Sequence, residues 1–503
     1  MSPLSADYVV VGAGTAGCVL ARRLLEQTDG TVLVLDAGAA PDGIESVDVP
    51  TRWVENIGAA HDWAYTYEPT DAVAGRTLFL SRGKVFGGSG STNALVWVRG
   101  QKADYDGWAA AGATGWDHDS VLPYFRRSED WIDGASEQRG AGGPVRVERA
   151  TDLHPVATAL IEAAISYGMP YLDDTNVAEP LGAGPINTDA SAGLRTSTWT
   201  GHLRPVLDDP RLTVIGGAHV TGISLTGSRC TGVTYDGGHV TATREVILAA
   251  GAIDSPRLLL RSGIGPAAHL RAVGVEVRHD LPGVGRNLQE HPILGGMCFA
   301  AREPLPPLNN NLEGSSAFWR SRPELTVPDL QYVAVQIPYV SPEIGAQFPV
   351  PPNAFCLAPG LMTVASRGFL ELTGPEGAVR IQPNMLAAPE DLDALVASVE
   401  IGLELAAQPA FAKLVERRVA PGADTSRAAL VDFVRNSAMP YFHPVGTCAM
   451  GVHEEAVVDP QLRVRGIDGL RVADASVMPT IPSANTNAPT VMIAEKAADL
   501  ISH

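Results

Sequence analysis

The feature that most narrows what this chain can become lies near its start. An apolar run, Asp7-Tyr8-Val9-Val10-Val11, meets Gly12-Ala13-Gly14-Thr15-Ala16-Gly17, and a helix-forming stretch (18–27) follows at once. A second apolar run, Thr31-Val32-Leu33-Val34-Leu35, ends in Asp36. The order is strand, tight turn, helix, strand, acid. Glycines let backbone approach a pyrophosphate, and a helix N-terminus faces it with unpaired N–H groups. An acid about 20 residues further on can accept from ribose hydroxyls. Gly-x-Gly-x-x-Gly alone is a weak signal. In this flanking order it predicts dinucleotide binding by Gly12, Gly14, Thr15, Ala16, Gly17 and Asp36.

At 503 residues and 45% hydrophobic content, the chain is too long for one simple core, so two domains are expected. A formal charge of −19 disfavours nucleic acid and anionic membranes as partners and serves solubility. The five cysteines (Cys18, Cys230, Cys298, Cys356, Cys448) are odd in number and scattered, with no Cys-x-x-Cys. That pattern points to a reducing compartment, and no metal site is read from it. No apolar run reaches the ~18 residues of a membrane span. The first strand begins by about Asp7, which leaves no room for a signal peptide ahead of it. The cytoplasm is the expected location, and monomer or homodimer the expected state.

Further along, a loop-rich stretch carries His61-Asp62-Trp63. The segment from Ser81 to Asn93 has four glycines between Gly83 and Gly90, and reads as a loop shaped to pass close to something. Helices are predicted over 104–112, 117–129 (with Asp117 or Asp119 as N-cap) and 155–167. Short strands over 212–215, 220–225, 230–235 and 239–243, with turns at Gly227-Ser228 and Gly237-Gly238, read as an antiparallel meander. A separate strand over 245–248 runs into Gly251. From about 297 to 436 the chain reads as irregular and Pro-rich, with one helix over 390–407. A strand is predicted over 469–474, and a last helix over 489–501 with Pro489 in its first turn.

Four blocks carry a resemblance. They are the N-terminal fingerprint, Gly83-Lys84 through Asn93, the run Gly251-Ala252-Ile253-Asp254-Ser255-Pro256 through Gly265, and His443-Pro444-Val445-Gly446-Thr447 joined to Asp474-Ala475-Ser476 and Asn485-Thr486-Asn487-Ala488-Pro489-Thr490. In this order the chain resembles the glucose–methanol–choline family of flavin-dependent oxidoreductases, in its choline dehydrogenase-like and hydroxymethylfurfural oxidase-like branch. The resemblance implies a mixed α/β fold: a Rossmann-like FAD-binding domain in discontinuous segments, 1–150, 195–296 and 440–503. It implies a substrate domain over 151–194 and 297–439, built on an antiparallel sheet with flanking helices.

The resemblance also implies roles. FAD is the cofactor and an alcohol the substrate, oxidised to an aldehyde or ketone, with oxygen or a quinone or dye as electron acceptor. His443 removes the hydroxyl proton, as a side chain suited to proton transfer near neutral pH. Family members pair this histidine with a second His or an Asn at the start of the last helix, and Asn487 is preferred over Asn485 because two residues and then Thr490 follow it. Asn cannot be a base, but it can donate to the substrate oxygen. Lys84, Gly88, Ser89, Asn93, Ala94 and Val96 wrap the flavin and pyrophosphate. Thr92 stands where some members carry a flavin-linking histidine, so FAD is non-covalent. Val220 meets adenine; Ala250, Asp474 and Ala475 approach the pyrophosphate and ribityl chain; Asn485, Thr486, Asn487 and Thr490 open the last helix toward the flavin; Trp63 shields flavin or substrate.

Tyr332, Gln336, Tyr441 and Phe442 are the expected substrate-pocket residues, with a modest primary alcohol, aromatic or furanic, as the favoured substrate. A quaternary ammonium alcohol would need a glutamate among aromatic rings, and the sequence does not place one. The rival readings are a hydroxynitrile lyase-like or photodecarboxylase-like activity on the same scaffold, and a non-catalytic flavin-binding module.

Overall fold

The computed structural model describes residues 4–503. Strand β1 (Leu4–Val11) and strand β2 (Val32–Leu35) run parallel and are joined by helix α1 (Thr15–Gln27). They lie in a seven-stranded sheet whose order is Leu212–Ile215, β2, β1, Gly238–Leu248, Arg229–Tyr235, Val220–Thr226. Val9, Val10 and Val34 are fully buried. A parallel sheet is covered on both faces, which is why β2 and the second half of β1 (8–11) are continuous apolar runs. A Cβ on Gly12 would fall 2.6 Å from Ala249 O, and one on Gly17 would fall 1.8 Å from Gly12 O. Both glycines are therefore needed for helix, turn and neighbouring strand to close up.

Two expectations for this sheet change. The separate strands over 239–243 and 245–248 are one strand, Gly238–Leu248. Its first half pairs antiparallel with Arg229–Tyr235, and its second half pairs parallel with Leu470–Val472. One long strand thus belongs to both the meander and the parallel core. The last helix begins at Asn487 rather than 489 and runs to Ser502.

The second sheet has eight mostly antiparallel strands. Its main order is Val415–Ala420, Met297–Ala301, Ala354–Leu361, Leu330–Val335, Ser315–Trp319, Gly182–Pro185, with Pro292–Leu294 attached at Ala354–Leu361 and Ala438–Pro440 paired to Pro292–Leu294. The sequence reading of 297–436 as irregular is therefore wrong. Leu330–Val335 and Ala354–Leu361 are buried at every position, so neither shows the in–out alternation that marks a strand. Pro359 and Gly360 sit inside Ala354–Leu361 and disguise it further. The helices fare better. Pro155–Tyr167 has its predicted bounds, Pro389–Ala406 is displaced by one residue, and His118–Ser128 is capped by Asp117, which accepts from Ser120 N at 3.1 Å.

The first and last helices are pinned together. Glu495 of the last helix is fully buried and accepts from Arg23 Nε of α1 (2.8 Å), Arg127 Nε (2.7 Å) and His202 Nε2 (3.3 Å). Burial works against its charge, yet hydrogen bonds from His202 and Arg23 hold the carboxyl down to about 2. Its contribution is fully present above the ordinary carboxylate value of 4.5 and is lost as pH falls toward 2. Replacing it takes from Arg23 and Arg127 their shared buried carboxylate, and leaves Arg23 with Glu26 and Arg127 with Asp499 as the remaining carboxylate partners. Glu495→Gln is expected to lower stability by about 3–5 kcal/mol in urea unfolding, and a loss under ~1 kcal/mol would refute this role.

Candidate active site

One elongated cavity runs between the two sheets. Its wall includes Val11 and Leu35 from the first and Ile293, Val333 and Val335 from the second. Most residues expected at a dinucleotide line it: Gly12, Gly14, Thr15, Ala16, Asp36, Trp63, Gly88, Ser89, Asn93, Ala94, Val96, Val220, Ala250, Asp474, Ala475, Asn485, Thr486, Asn487 and Thr490. Gly17 and Lys84 do not. Gly17 serves the packing of α1 on the turn, and the Lys84 ammonium lies over the Trp63 ring, 4.9 Å from its centroid. Trp63 itself stacks on Tyr65 and tilts against His219, the neighbour of Val220, which puts it at the Val220 end of the cavity.

Two glycine loops form the cradle. Gly14 caps α1 without any side-chain hydrogen bond, so first-turn N–H groups stay free for an anion. The second loop lies directly on the first: Gly87 N donates to Ala13 O at 2.6 Å, and a Cβ on Gly88 would come within 2.9 Å of Gly14 Cα. At the end of β2, Asp36 accepts from Ala13 N and Gly38 N, each at 2.6 Å, and burial pushes its carboxyl up to about 6. Asp474 accepts from Gly251 N, Ser255 Oγ, Ser476 N and Ser476 Oγ, and so fixes the loops that bring Ala250 and Ala475 into the wall. This donor set and close-packed backbone fit the dinucleotide part of FAD.

His443 stands at the other end, 7% exposed. Its Nδ1 is 3.0 Å from His291 Nδ1, and His291 Nε2 is 3.0 Å from Met362 O. A carbonyl only accepts, so His291 donates from Nε2 and its Nδ1 is bare. That bare nitrogen accepts from His443 Nδ1–H. The unprotonated nitrogen of His443 is then Nε2, which faces Asn485 Nδ2 at 3.3 Å. Burial keeps both rings neutral: it pushes His291 down to about 3 and His443 well below its ordinary value, with His291 and Arg82 adding to the second shift.

The backbone around His443 is clamped. Phe442 is left-handed at φ 64°, a costly state for an aromatic residue. Arg82 Nη2 donates to Phe442 O at 2.7 Å, and His443 N donates to Glu290 Oε1 at 2.6 Å. Glu290 also accepts from Tyr67 Oη at 2.7 Å, and burial pushes its carboxyl up to about 7. The Tyr441 ring stacks on His443 with centroids 4.6 Å apart.

Several expectations need correction. Asn487 is not the neighbour of His443: its Oδ1 accepts from Thr15 Oγ1 (2.9 Å) and its Nδ2 donates to Asp189 Oδ2 (3.3 Å). Residues two apart at a helix start do not face the same way, and it is Asn485 that turns to His443, with its Oδ1 accepting from Gln331 Nε2 at 3.4 Å. Tyr441 and Phe442 line the cavity, whereas Tyr332 and Gln336 do not. Tyr332 lies on the opposite face of its strand from Val333 and donates to Ser398 O, while Gln336 is bonded to Asn309. Sequence reasoning missed Glu290, His291, Arg82 and Glu313. The run Glu290-His291-Pro292 echoes His443-Pro444 and could have drawn attention.

The chain matches the GMC oxidoreductase family over residues 6–293 and again over 364–494. It is 38% identical to the mitochondrial choline dehydrogenase of Homo sapiens, over 98% of this chain and 89% of that protein. It is 36% identical to the oxygen-dependent choline dehydrogenase of Photobacterium profundum, over 98% of this chain and 92% of that protein. The crystal structure of pyridoxine 4-oxidase from Mesorbium loti matches it with a TM-score of 0.94 and 34% identity, covering 98% of each chain. The chain belongs to the GMC oxidoreductase family and is an FAD-dependent oxidoreductase acting on CH–OH donors. Among the described residues no helix is long and apolar enough to cross a membrane, and no group of three or more His, Cys, Asp or Glu is placed to hold a metal ion.

If His291 sets the tautomer of His443, His291→Phe removes the acceptor at Nδ1. Flavin reduction by an alcohol is expected to slow on the order of 10²-fold while flavin content is unchanged. Stopped-flow bleaching with the variant checks this, and an unaltered rate would break the link.

Proposed function

We propose that His443 acts through Nε2 as the general base of alcohol oxidation and that Asn485 holds the substrate oxygen. The observation that carries this is the directed chain Met362 O, His291, His443, which leaves a bare nitrogen beside an amide donor at the cavity wall. An alcohol hydroxyl donating to Nε2 would have its oxygen within reach of Asn485 Nδ2. As the proton leaves, the amide N–H stabilises the growing charge. Bound FAD supplies the hydride acceptor, and the product is an aldehyde or ketone. The apolar wall of Ile293, Val333 and Val335, with Tyr441 and Phe442, excludes water and orients the carbon. Asn487 is assigned to the helix start and Thr15 rather than to the chemistry.

FAD is held without a covalent bond, a reading supported by Thr92 in the cavity wall, which offers no ring nitrogen for a link to the flavin. Electrons pass on to oxygen or to another acceptor. We assign 1–150, 195–296 and 440–503 to FAD and 151–194 and 297–439 to the substrate, with Pro292–Leu294 and Ala438–Pro440 crossing into the second sheet. Five free, buried cysteines support a reducing compartment such as the cytoplasm.

His443→Ala is expected to abolish anaerobic bleaching of the flavin by alcohols while FAD stays bound; retained activity would sink the mechanism. Asn485→Ala should cost about 10²–10³ in the reduction rate, and Asn487→Ala much less. Because His443 is held below its ordinary value of 6.5, the base form persists below that pH. The reduction rate should therefore stay level from pH 8 to below 6.5, and a fall centred near 6.5 would contradict it. Acid precipitation of the holoenzyme should leave all the flavin in the supernatant.

A further inference from the structure

Cys298 and Cys356 stand directly opposite each other on the antiparallel strands Met297–Ala301 and Ala354–Leu361. Opposed residues of such strands have Cα atoms about 4.5–5.5 Å apart, within the roughly 4.4–6.8 Å that a disulfide spans. Both side chains belong to one buried apolar cluster with Ile293, Val333 and Val335, the second-sheet wall of the cavity. Val335 is the opposed neighbour of Cys356 on its other side. Cys356 Sγ accepts from Tyr339 N at 3.2 Å, and Tyr339 lines the cavity. The two thiols therefore adjoin the cavity from inside the protein, with no exposure to bulk water.

This pair differs from the other cysteines. Burial pushes Cys18 up to about 12, Cys230 up to about 11 and Cys448 well above the ordinary thiol value. Cys298 goes the other way: the Cys356 S–H donates to its sulfur and holds it below the ordinary value of 9.0. Burial and that same bond push Cys356 well above it. The thiolate is the nucleophile. Cys298 is thus the readier to react, and Cys356 sits against it with its proton in place.

Resting on the oxygen route of the reading above, we propose that Cys298 and Cys356 form a redox modification site, closed to an internal disulfide by the hydrogen peroxide that is released in the cavity when oxygen takes the electrons of alcohol oxidation. The Cys298 sulfur attacks one peroxide oxygen, the O–O bond breaks, and the departing oxygen leaves as water. The Cys356 sulfur then displaces the remaining oxygen from the Cys298 sulfenic acid, and a second water leaves. The two thiols give up two electrons and two protons, and one peroxide takes them to become two waters. Closing the S–S bond to about 2.05 Å draws Cys356 Sγ away from Tyr339 N. Tyr339 loses that anchor, and the wall loosens its hold on the alcohol. A bulky thiol reagent arriving from outside meets only buried sulfur, whereas peroxide made within the cavity has one wall to cross.

The test uses the FAD-loaded enzyme, either turning over benzyl alcohol in air or mixed with hydrogen peroxide alone. In denaturant, thiol titration should find all five cysteines before treatment and two fewer after it, and peptide mass mapping should join Cys298 to Cys356. KM for benzyl alcohol should rise about fivefold, the worth of one ordinary hydrogen bond, with kcat little changed. Cys298→Ala should start with the KM of untreated wild type and keep it through both treatments. Five free thiols after added peroxide, an unchanged KM in the oxidised enzyme, or an equal KM rise in Cys298→Ala overturns the proposal. Turnover in air that releases no peroxide refutes the oxygen route instead, and the added-peroxide arm then decides whether the pair is a modification site.

Discussion

The chemistry of this site depends on a hydrogen bond between two uncharged histidines. Met362 offers a carbonyl, which can only accept, and that fact propagates through His291 to set which nitrogen of His443 is free. The arrangement works only while both rings are neutral. Two imidazolium ions at 3.0 Å would repel, and burial prevents that by disfavouring charge on either ring. Glu290 and His291, adjacent in sequence, address His443 from two directions: one takes its backbone N–H and the other its ring. Two consecutive residues thus fix both the position and the proton inventory of the proposed base.

The cavity needs a different kind of support. Its cofactor end is made from the first residues described and the last helix, 472 residues apart at the Thr15–Asn487 contact. Such a site exists only if the termini are held together, and Glu495 with Arg23 and Arg127 does this beneath the wall. A buried ion pair is a poor source of net stability compared with apolar packing, yet it is unforgiving of partial removal. It therefore suits a place where register matters more than added stability.

Legibility in the sequence followed the range of the interactions. The turn at Gly12–Gly17 and a cap at Asp117 or Asp119 depend on residues a few positions away, and the acid at Asp36 on a turn 23 residues before it, so pattern along one stretch of chain revealed them. The second sheet did not show itself, because strands buried on both faces lose their alternation, and Pro359 inside one of them reads as a break. His443 stood out through its flanking residues, but the choice between Asn485 and Asn487 turned on which side of a helix start faces the cavity. Only tertiary packing decides that. Glu313 was invisible for the same reason: a carboxylate in a run of Asn and Leu looks like surface until the fold buries it.

The left-handed backbone at Phe442 has a further consequence. A residue held in an unfavourable conformation by Arg82 and Glu290 cannot be transplanted with its own short segment, because the restraint resides elsewhere in the chain. The proposed base is in this sense a composite part with its fastenings at 82, 290 and 291. The apolar wall at Ile293, Val333 and Val335 carries no such obligation. New substrate preferences can be reached by reshaping that wall, while grafting the histidine segment alone onto another scaffold would move the name of the residue and leave its geometry behind.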